Sequence, residues 1–495
     1  MARFSVSSLF RFSALAAGVA TVDAGVTQLT KNATVTCGLI AGQISSASEI
    51  IYPVSALSFA DDTHHWFLSS SQTSACVLEV GSARDLSTAL KVIGNTRTPF
   101  AVMSGGHASN PGFSSTPGVH ISLKRLDQLV LSADKKTVEL GFGRTWADTY
   151  NELEGTGVNV VGGRVAGPGV GGFSLGGGFS WKTNQYGLTC DTIKRHNIVL
   201  PNGTITYASA DYNRDLFFAL KGGMNRFGVV TSAVFATHPQ PPKVYGGLVV
   251  YPPTTVQQVL NATAQFYRQN KDPKAVIITT LEAGTAGPTP MVLFFHDGPD
   301  KPAAFQLFDG IVPLLDTTQQ QSFSALISSI PTGVAEVRNP RGAFHTFSTS
   351  GLTPRFLAAI HNETVDIAAA QAAHGGVVAS YDIEPFTPYG SKATDSAYPH
   401  ASSPLPLNLY FSWSLPSQDE WWYARMRQSA ATLKRVATEE GIYSAGASLF
   451  AYPNYALAGS APAELYGAAN AARLRQIRGR IDPARVMDLA GGWAI

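Results

Sequence analysis

Charge is sparse in this sequence. Only 14% of its 495 residues are charged and the net charge is +2, so no lysine- or arginine-rich block suggests a nucleic-acid or membrane-surface footprint. No stretch approaches the roughly 18 uninterrupted apolar residues of a membrane span, and none is expected. Cysteine is equally scarce. Cys37, Cys76 and Cys190 are widely spaced and lack a nearby histidine pair, which argues against a zinc site, and no metal is expected. Cys37 and Cys76 could pair in an oxidising compartment, leaving Cys190 free. Internal repeats and low-complexity segments are absent as well.

Glycine, by contrast, is plentiful: 47 residues, clustered around 105–118, 141–143 and 155–187, where backbone must turn sharply or approach a ligand closely. With 44% hydrophobic residues and a length beyond one typical core, two globular domains are the natural expectation. At the start, Arg3, the apolar run Leu9–Val19 and Thr21-Val22-Asp23-Ala24 read as a signal peptide over 1–24, although Arg11 interrupts the run. Sequons at Asn32, Asn202, Asn261 and Asn362 agree with a secreted glycoprotein.

From Ser74 the pattern becomes regular. Cys76–Val80 reads as a strand, Ala83–Ile93 as a helix and Phe100–Met103 as a second strand that runs into Ser104-Gly105-Gly106-His107. That is a βαβ-like unit ending in a ligand-facing turn. Strands over Val119–Leu123 and Thr137–Gly141, a helix over Trp146–Leu153 and a hairpin turning at Asn202-Gly203 follow. Prolines near His238–Pro242 mark a boundary. Beyond it, strands (Tyr245–Tyr251, Ala275–Leu281, Met291–Phe295) mix with helices (Thr255–Gln269, Thr353–Ala373, Gln418–Glu440). Leu407–Trp413 alternates as a strand placing large aromatic groups on a sheet face, and Leu465–Ile481 reads as an Arg-rich closing helix.

Two glycine motifs carry the candidate chemistry. Gly105-Gly106 lets backbone N–H groups approach a pyrophosphate, with His107 beside the bound group. Taken alone, a histidine satisfying a nearby carbonyl explains that loop as well. In Gly162–Gly178, the residues Gly167, Gly169 and Gly172 formally satisfy G-x-G-x-x-G. Gly176-Gly177-Gly178 would break the long helix that a Rossmann site needs, at about 1 kcal/mol per glycine relative to alanine. The segment therefore reads as a backbone wall against an extended dinucleotide.

Phe100–His107, Gly169–Gly178, Asn225–Thr231 and then Tyr452-Pro453-Asn454-Tyr455 occur in one order. This order resembles the FAD-linked oxidases with a PCMH-type FAD domain, the berberine-bridge-enzyme-like branch of the vanillyl-alcohol oxidase superfamily. The resemblance covers residues 70–235 and 445–490 and is loose between them. It implies an α+β, two-domain fold: an FAD domain of two α/β subdomains over 25–238, and an α+β substrate domain with an antiparallel sheet over 239–444. The segment 445–495 then returns to the FAD domain.

The resemblance also implies that FAD lies against Ser104, Gly105, Gly106, His107, Gly167, Gly169, Gly171, Gly172, Ser174, Gly176, Gly177, Gly228, Val229, Val230 and Asn454. His107 would carry an 8α-histidyl bond. A cysteine that gives some relatives a second bond maps to Val165, so a single tether is expected. Met103 and Ala108 depart from the arginine and serine common in the family. Tyr455 maps to the base over the flavin, with Tyr452 beside it. Because a phenol has a pKa of about 10, such a base needs a nearby cation or substrate coupling. Asp382 and Glu384 are alternative bases, although a solvated strand end is the plainer reading.

The expected protein is a secreted, monomeric oxidase that takes hydride from a secondary-metabolite alcohol, amine or activated C–H group and passes the electrons to oxygen. A carbohydrate oxidase, a dehydrogenase with another acceptor and a flavin-containing non-redox cyclase scaffold stay open.

Overall fold

The computed structural model describes residues 32–330, 340–444 and 448–495; the expected leader lies outside them. The βαβ-like unit is present. Cys76–Glu79 and Phe100–Met103 lie parallel on either side of Val119–Ser122, and Glu49–Ile51 closes the far edge antiparallel. Ser82 caps the intervening helix by accepting from the Asp85 N–H at 3.1 Å. That helix runs Ala83–Thr96, three residues beyond the expected end, because Gly94 does not stop it and Arg97 adopts the left-handed conformation (φ 54°) that does. Cys37 and Cys76 form a disulfide, and Cys190 is free and buried.

A second sheet is antiparallel throughout, in the order Leu129–Leu131, Thr137–Gly141, Val229–Ala236, Ile193–Val199, Ile205–Ser209. Its last hairpin turns through Asn202-Gly203, where Gly203 (φ 83°) donates to the Leu200 carbonyl. Trp146–Leu153 is capped reciprocally by Thr145 and Asp148.

A third, larger antiparallel sheet carries in sequence Val244–Val250, Thr289–His296, Ala275–Glu282, Gly376–Ile383, Leu405–Trp413 and Arg341–Thr349. Helices cover one face. Thr279 bonds Thr263 of Val256–Gln269, Tyr381 bonds Ser429 of Asp419–Glu439, and Trp413 stacks on Trp422 at 5.7 Å. The sheet's other face is turned toward the glycine-rich segments.

Two features join the chain's ends and layers. Arg226 donates to the carbonyls of Met487, Ala490, Gly492 and Trp493, fixing the terminal segment against the first two sheets. Lys182 and Asp297 form a buried ion pair at 2.7 Å between the glycine-rich region and the third sheet. The Arg-rich helix spans Pro462–Ile481 and kinks at Gly467 (φ 69°). No described helix is long and apolar enough to cross a membrane.

Candidate active site

One cavity of about 770 Å³ lies between the glycine-rich segments and the third sheet. On its first wall, the Phe100–Met103 strand delivers Ser104–His107. Ser104 Oγ donates to the Phe142 carbonyl at 2.5 Å and accepts from Gly171 N–H at 3.2 Å, which joins the two glycine motifs. Gly105 and Gly169 meet backbone to backbone, and a Cβ on either would collide with the other. Gly106 has φ 68°, and its carbonyl accepts from the Trp66 N–H at 3.0 Å. His107 stacks on Trp66 at 4.6 Å and lines the cavity. Burial, then the neighbouring His64 and His65, push its imidazole down to about 4, so it is neutral at physiological pH with a free lone pair.

The opposite wall follows from strand periodicity. Alternate residues of adjacent strands face the cavity: Ile278, Thr280 and Glu282; Ser380, Asp382 and Glu384; Asn408 and Tyr410. The large aromatic groups Phe411 and Trp413 occupy the other parity and face the helices.

Three distant segments converge on one hydroxyl. Arg164, the only charged residue in Gly162–Gly178, forms a bidentate pair with Glu384 (Nη1–Oε2 2.7 Å, Nη2–Oε1 2.9 Å). Arg164 Nη2 also donates to the Tyr455 hydroxyl, which in turn donates to Glu384 Oε1 at 3.2 Å. Burial opposes the arginine's charge, but Glu384 and Tyr455 outweigh it and hold the guanidinium protonated. Burial pushes the Tyr455 phenol well above its usual range; Arg164 opposes that rise and Glu384 adds to it. The cation expected beside the tyrosine is present, but Glu384 already neutralises it, so Tyr455 stays a phenol.

Ser104, Gly105, Gly106, His107, Gly169, Gly171, Gly172, Gly228, Val229, Val230, Tyr452, Asn454 and Tyr455 all border this cavity, as does Val165. Gly167, Ser174, Gly176 and Gly177 stand behind it. A Cβ on Gly167 would lie 2.7 Å from His107 Nε2, and one on Gly176 would collide with Asn454. The wall is also not continuously extended, since Val170–Leu175 forms a short helix that ends at Gly176. The Tyr452 hydroxyl accepts from the N–H groups of Gly178 and Phe179 and from Asn454 Nδ2, which ties its segment to the glycine wall. Glu384 is not a solvated strand end; it is 3% exposed and paired. Asp382 accepts from Thr280 and Asn408, and burial followed by Glu384 raises it to about 6.

Sequence reading offered Asp382 and Glu384 but missed Arg164, Trp66 and the other polar residues of the sheet face, Thr280, Glu282 and Asn408; the lone charge within the glycine run was the available signal for Arg164. The fold also gathers Cys190, Asp191 and His400 within 4.8 Å, although Asp191 already accepts from Leu188, Thr394 and His400.

A family model described as an FAD binding domain matches residues 74–209. An FAD-dependent monooxygenase of Cochliobolus heterostrophus is 30% identical over 433 residues, 83% of this chain and 82% of that protein. An uncharacterized FAD-linked oxidoreductase of Arthroderma benhamiae is 37% identical over 259 residues, about half (51%) of each chain. In fold, the chain matches the glucooligosaccharide oxidase of Acremonium strictum, whose structure is described with a 6-S-cysteinyl, 8α-N1-histidyl FAD. The TM-score is 0.76 at 18% identity, covering 91% of this chain and 97% of that one. The chain belongs to the FAD-linked oxidoreductases with a PCMH-type FAD-binding domain. Its residues suit that cofactor, with a glycine floor that admits no side chain at Gly105 or Gly169 and a neutral imidazole at the cavity wall.

The close approach of Gly105 and Gly169 gives a direct expectation. Gly169→Ala should cost about 1–3 kcal/mol or more by overpacking and lower the thermal midpoint, and it should reduce flavin content. Gly479→Ala, at an exposed helical site with nothing within 4 Å of a Cβ, should instead gain up to about 1 kcal/mol. Thermal unfolding of the two variants checks the contrast.

Proposed function

We propose that this chain is an oxidase that takes hydride from a small organic substrate, with FAD tethered through His107 alone. The observation that carries the reading is the Tyr455 hydroxyl held between Arg164 and Glu384 in the cavity that the glycine wall and His107 line. Bound FAD supplies the hydride acceptor. His107 would hold it through its unprotonated imidazole nitrogen, and Val165 offers no sulfur for a second bond. Ser104, Gly105, Gly169 and Gly171 would let backbone approach the cofactor closely.

The chain's own contribution is proton handling. Tyr455 cannot act as a free phenolate at neutral pH. It can accept a substrate O–H or N–H proton on its oxygen while passing its own proton to Glu384 Oε1, so that no unpaired charge builds up on the phenol. Arg164 holds both groups in line. Tyr452 and Asn454 fix the segment that carries Tyr455. Maturation in the secretory pathway is part of the proposal: the Cys37–Cys76 disulfide and the exposure of Asn32, Asn202, Asn261 and Asn362 suit an oxidising, glycosylating compartment.

A second reading has support from a printed name, since the Cochliobolus relative is called a monooxygenase. Peroxide formed in step with substrate consumed supports the oxidase; label from ¹⁸O₂ in the product favours the monooxygenase instead.

Two variants test the residue roles. Acid precipitation of the wild-type protein should leave flavin on the peptide containing His107, and His107→Ala should release it all as free FAD; free FAD from the wild type contradicts the tether. Tyr455→Phe should retain flavin and lower the rate of substrate-driven flavin reduction by about 10²–10⁴-fold. A change below about threefold in anaerobic stopped-flow absorbance would assign the proton transfer elsewhere.

A further inference from the structure

The sheet side of the cavity has a chemical bias that the redox reading does not use. Two cross-strand rows face inward. Thr280, Asp382 and Asn408 are register partners in one row, and Glu282, Ser380 and Tyr410 lie in or beside the next. In the first row both donors are committed to Asp382: Thr280 Oγ1 to Oδ1 at 2.8 Å and Asn408 Nδ2 to Oδ2 at 2.9 Å. That second bond fixes the amide's orientation, because a flipped Asn408 would set oxygen against carboxylate. Asn408 Oδ1 is therefore left as an acceptor. It is buried without a partner, on a residue only 5% exposed that lines the cavity. The Glu282 carboxylate also borders the cavity, with no hydrogen bond or ion pair to any described residue.

The charge count points the same way. Glu282, Asp382 and Glu384 face one cation, Arg164, and Glu384 occupies it in a bidentate pair. Two carboxylates thus remain without a counter-ion, in a place where unpaired charge is costly. The wall is rich in acceptors and poor in donors. Among the described residues of its two rows, the uncommitted hydroxyls are those of Ser380 and Tyr410, and each can accept as well as donate.

We infer that Glu282, Asp382 and Asn408 form a recognition site for a protonated nitrogen on the substrate, opposite the glycine wall. The inference rests on the cavity being the substrate site of the proposed reaction. An ammonium group supplies both missing quantities: positive charge for the two carboxylates and N–H donors for Asn408 Oδ1 and Glu282. A carboxylate or phosphate at this place would meet acceptors and like charge. A neutral polyol would satisfy the acceptors and leave the charge surplus. The same row explains why an aromatic-rich strand does not make the cavity an apolar slot: Phe411 and Trp413 face the helices, and Asn408 faces in.

The test is equilibrium binding by calorimetry to purified holoenzyme, using benzylamine, benzyl alcohol, benzoate and cellobiose at one pH near neutrality. Benzylammonium should bind at least about tenfold more tightly than benzyl alcohol, and benzoate should show no binding. Glu282→Gln should lower benzylammonium affinity about tenfold while leaving benzyl alcohol unchanged, a split that a merely structural residue would not produce. Asp382→Asn, which keeps the side chain's size, removes its charge and can still accept from Asn408 while Thr280 turns to accept, should do the same and guards against a poorly folded first variant. Equal affinity for amine and alcohol, equal losses for both in the variants, tighter binding of cellobiose or benzoate, or no binding by any probe would each overturn the inference. The readout needs neither turnover nor flavin reduction. A protein that binds the ammonium selectively but reduces no flavin would sink the oxidase reading alone.

Discussion

The bidentate pair between Arg164 and Glu384 joins parts of the chain that are far apart in sequence, at the point where they enclose the cavity. Arg164 comes from the glycine-rich wall, Glu384 from the end of a strand in the third sheet, and Tyr455 from the segment that follows the last long helix of the substrate side. Both charged groups are almost fully buried, so each depends on the other for its counter-ion. Their mutual satisfaction sets the position of the Tyr455 hydroxyl between them. It also consumes the cavity's one positive charge. The proposed proton path and the surplus of carboxylates proposed to bind substrate both depend on that ion pair.

Much of the architecture was legible because it rests on local rules. The capped helix after Ser82, the alternating strands from Tyr245 onward and the Asn202-Gly203 turn are each specified within a few residues. The ordered glycine motifs were legible for a different reason. Backbone must touch backbone at Gly105 and Gly169, and no other residue fits there. The cavity's first wall follows from that.

The sheet wall was not legible in the same way. Asp382 and Glu384 end a strand whose flanking residues include Pro385, a pattern that normally fits a solvated edge. Their burial depends on Arg164, more than 200 positions earlier, and on the cross-strand register that sets Thr280 and Asn408 beside Asp382. Likewise, alternation in Leu405–Trp413 separates two faces without saying which one meets the ligand. Phe411 and Trp413 went to the helices, and Asn408 and Tyr410 to the cavity.

The dependence of the site on one ion pair is open to a double-mutant cycle read by thermal unfolding of Arg164→Met, Glu384→Leu and the double variant. Each single change leaves a buried charge without its partner, and the double change leaves none. The account predicts that each single variant loses several degrees, about 3–5 kcal/mol of stability, and that the double variant recovers roughly half or more of the combined loss. Losses that simply add, to within about 0.5 kcal/mol, would show that the two side chains act independently and would contradict it.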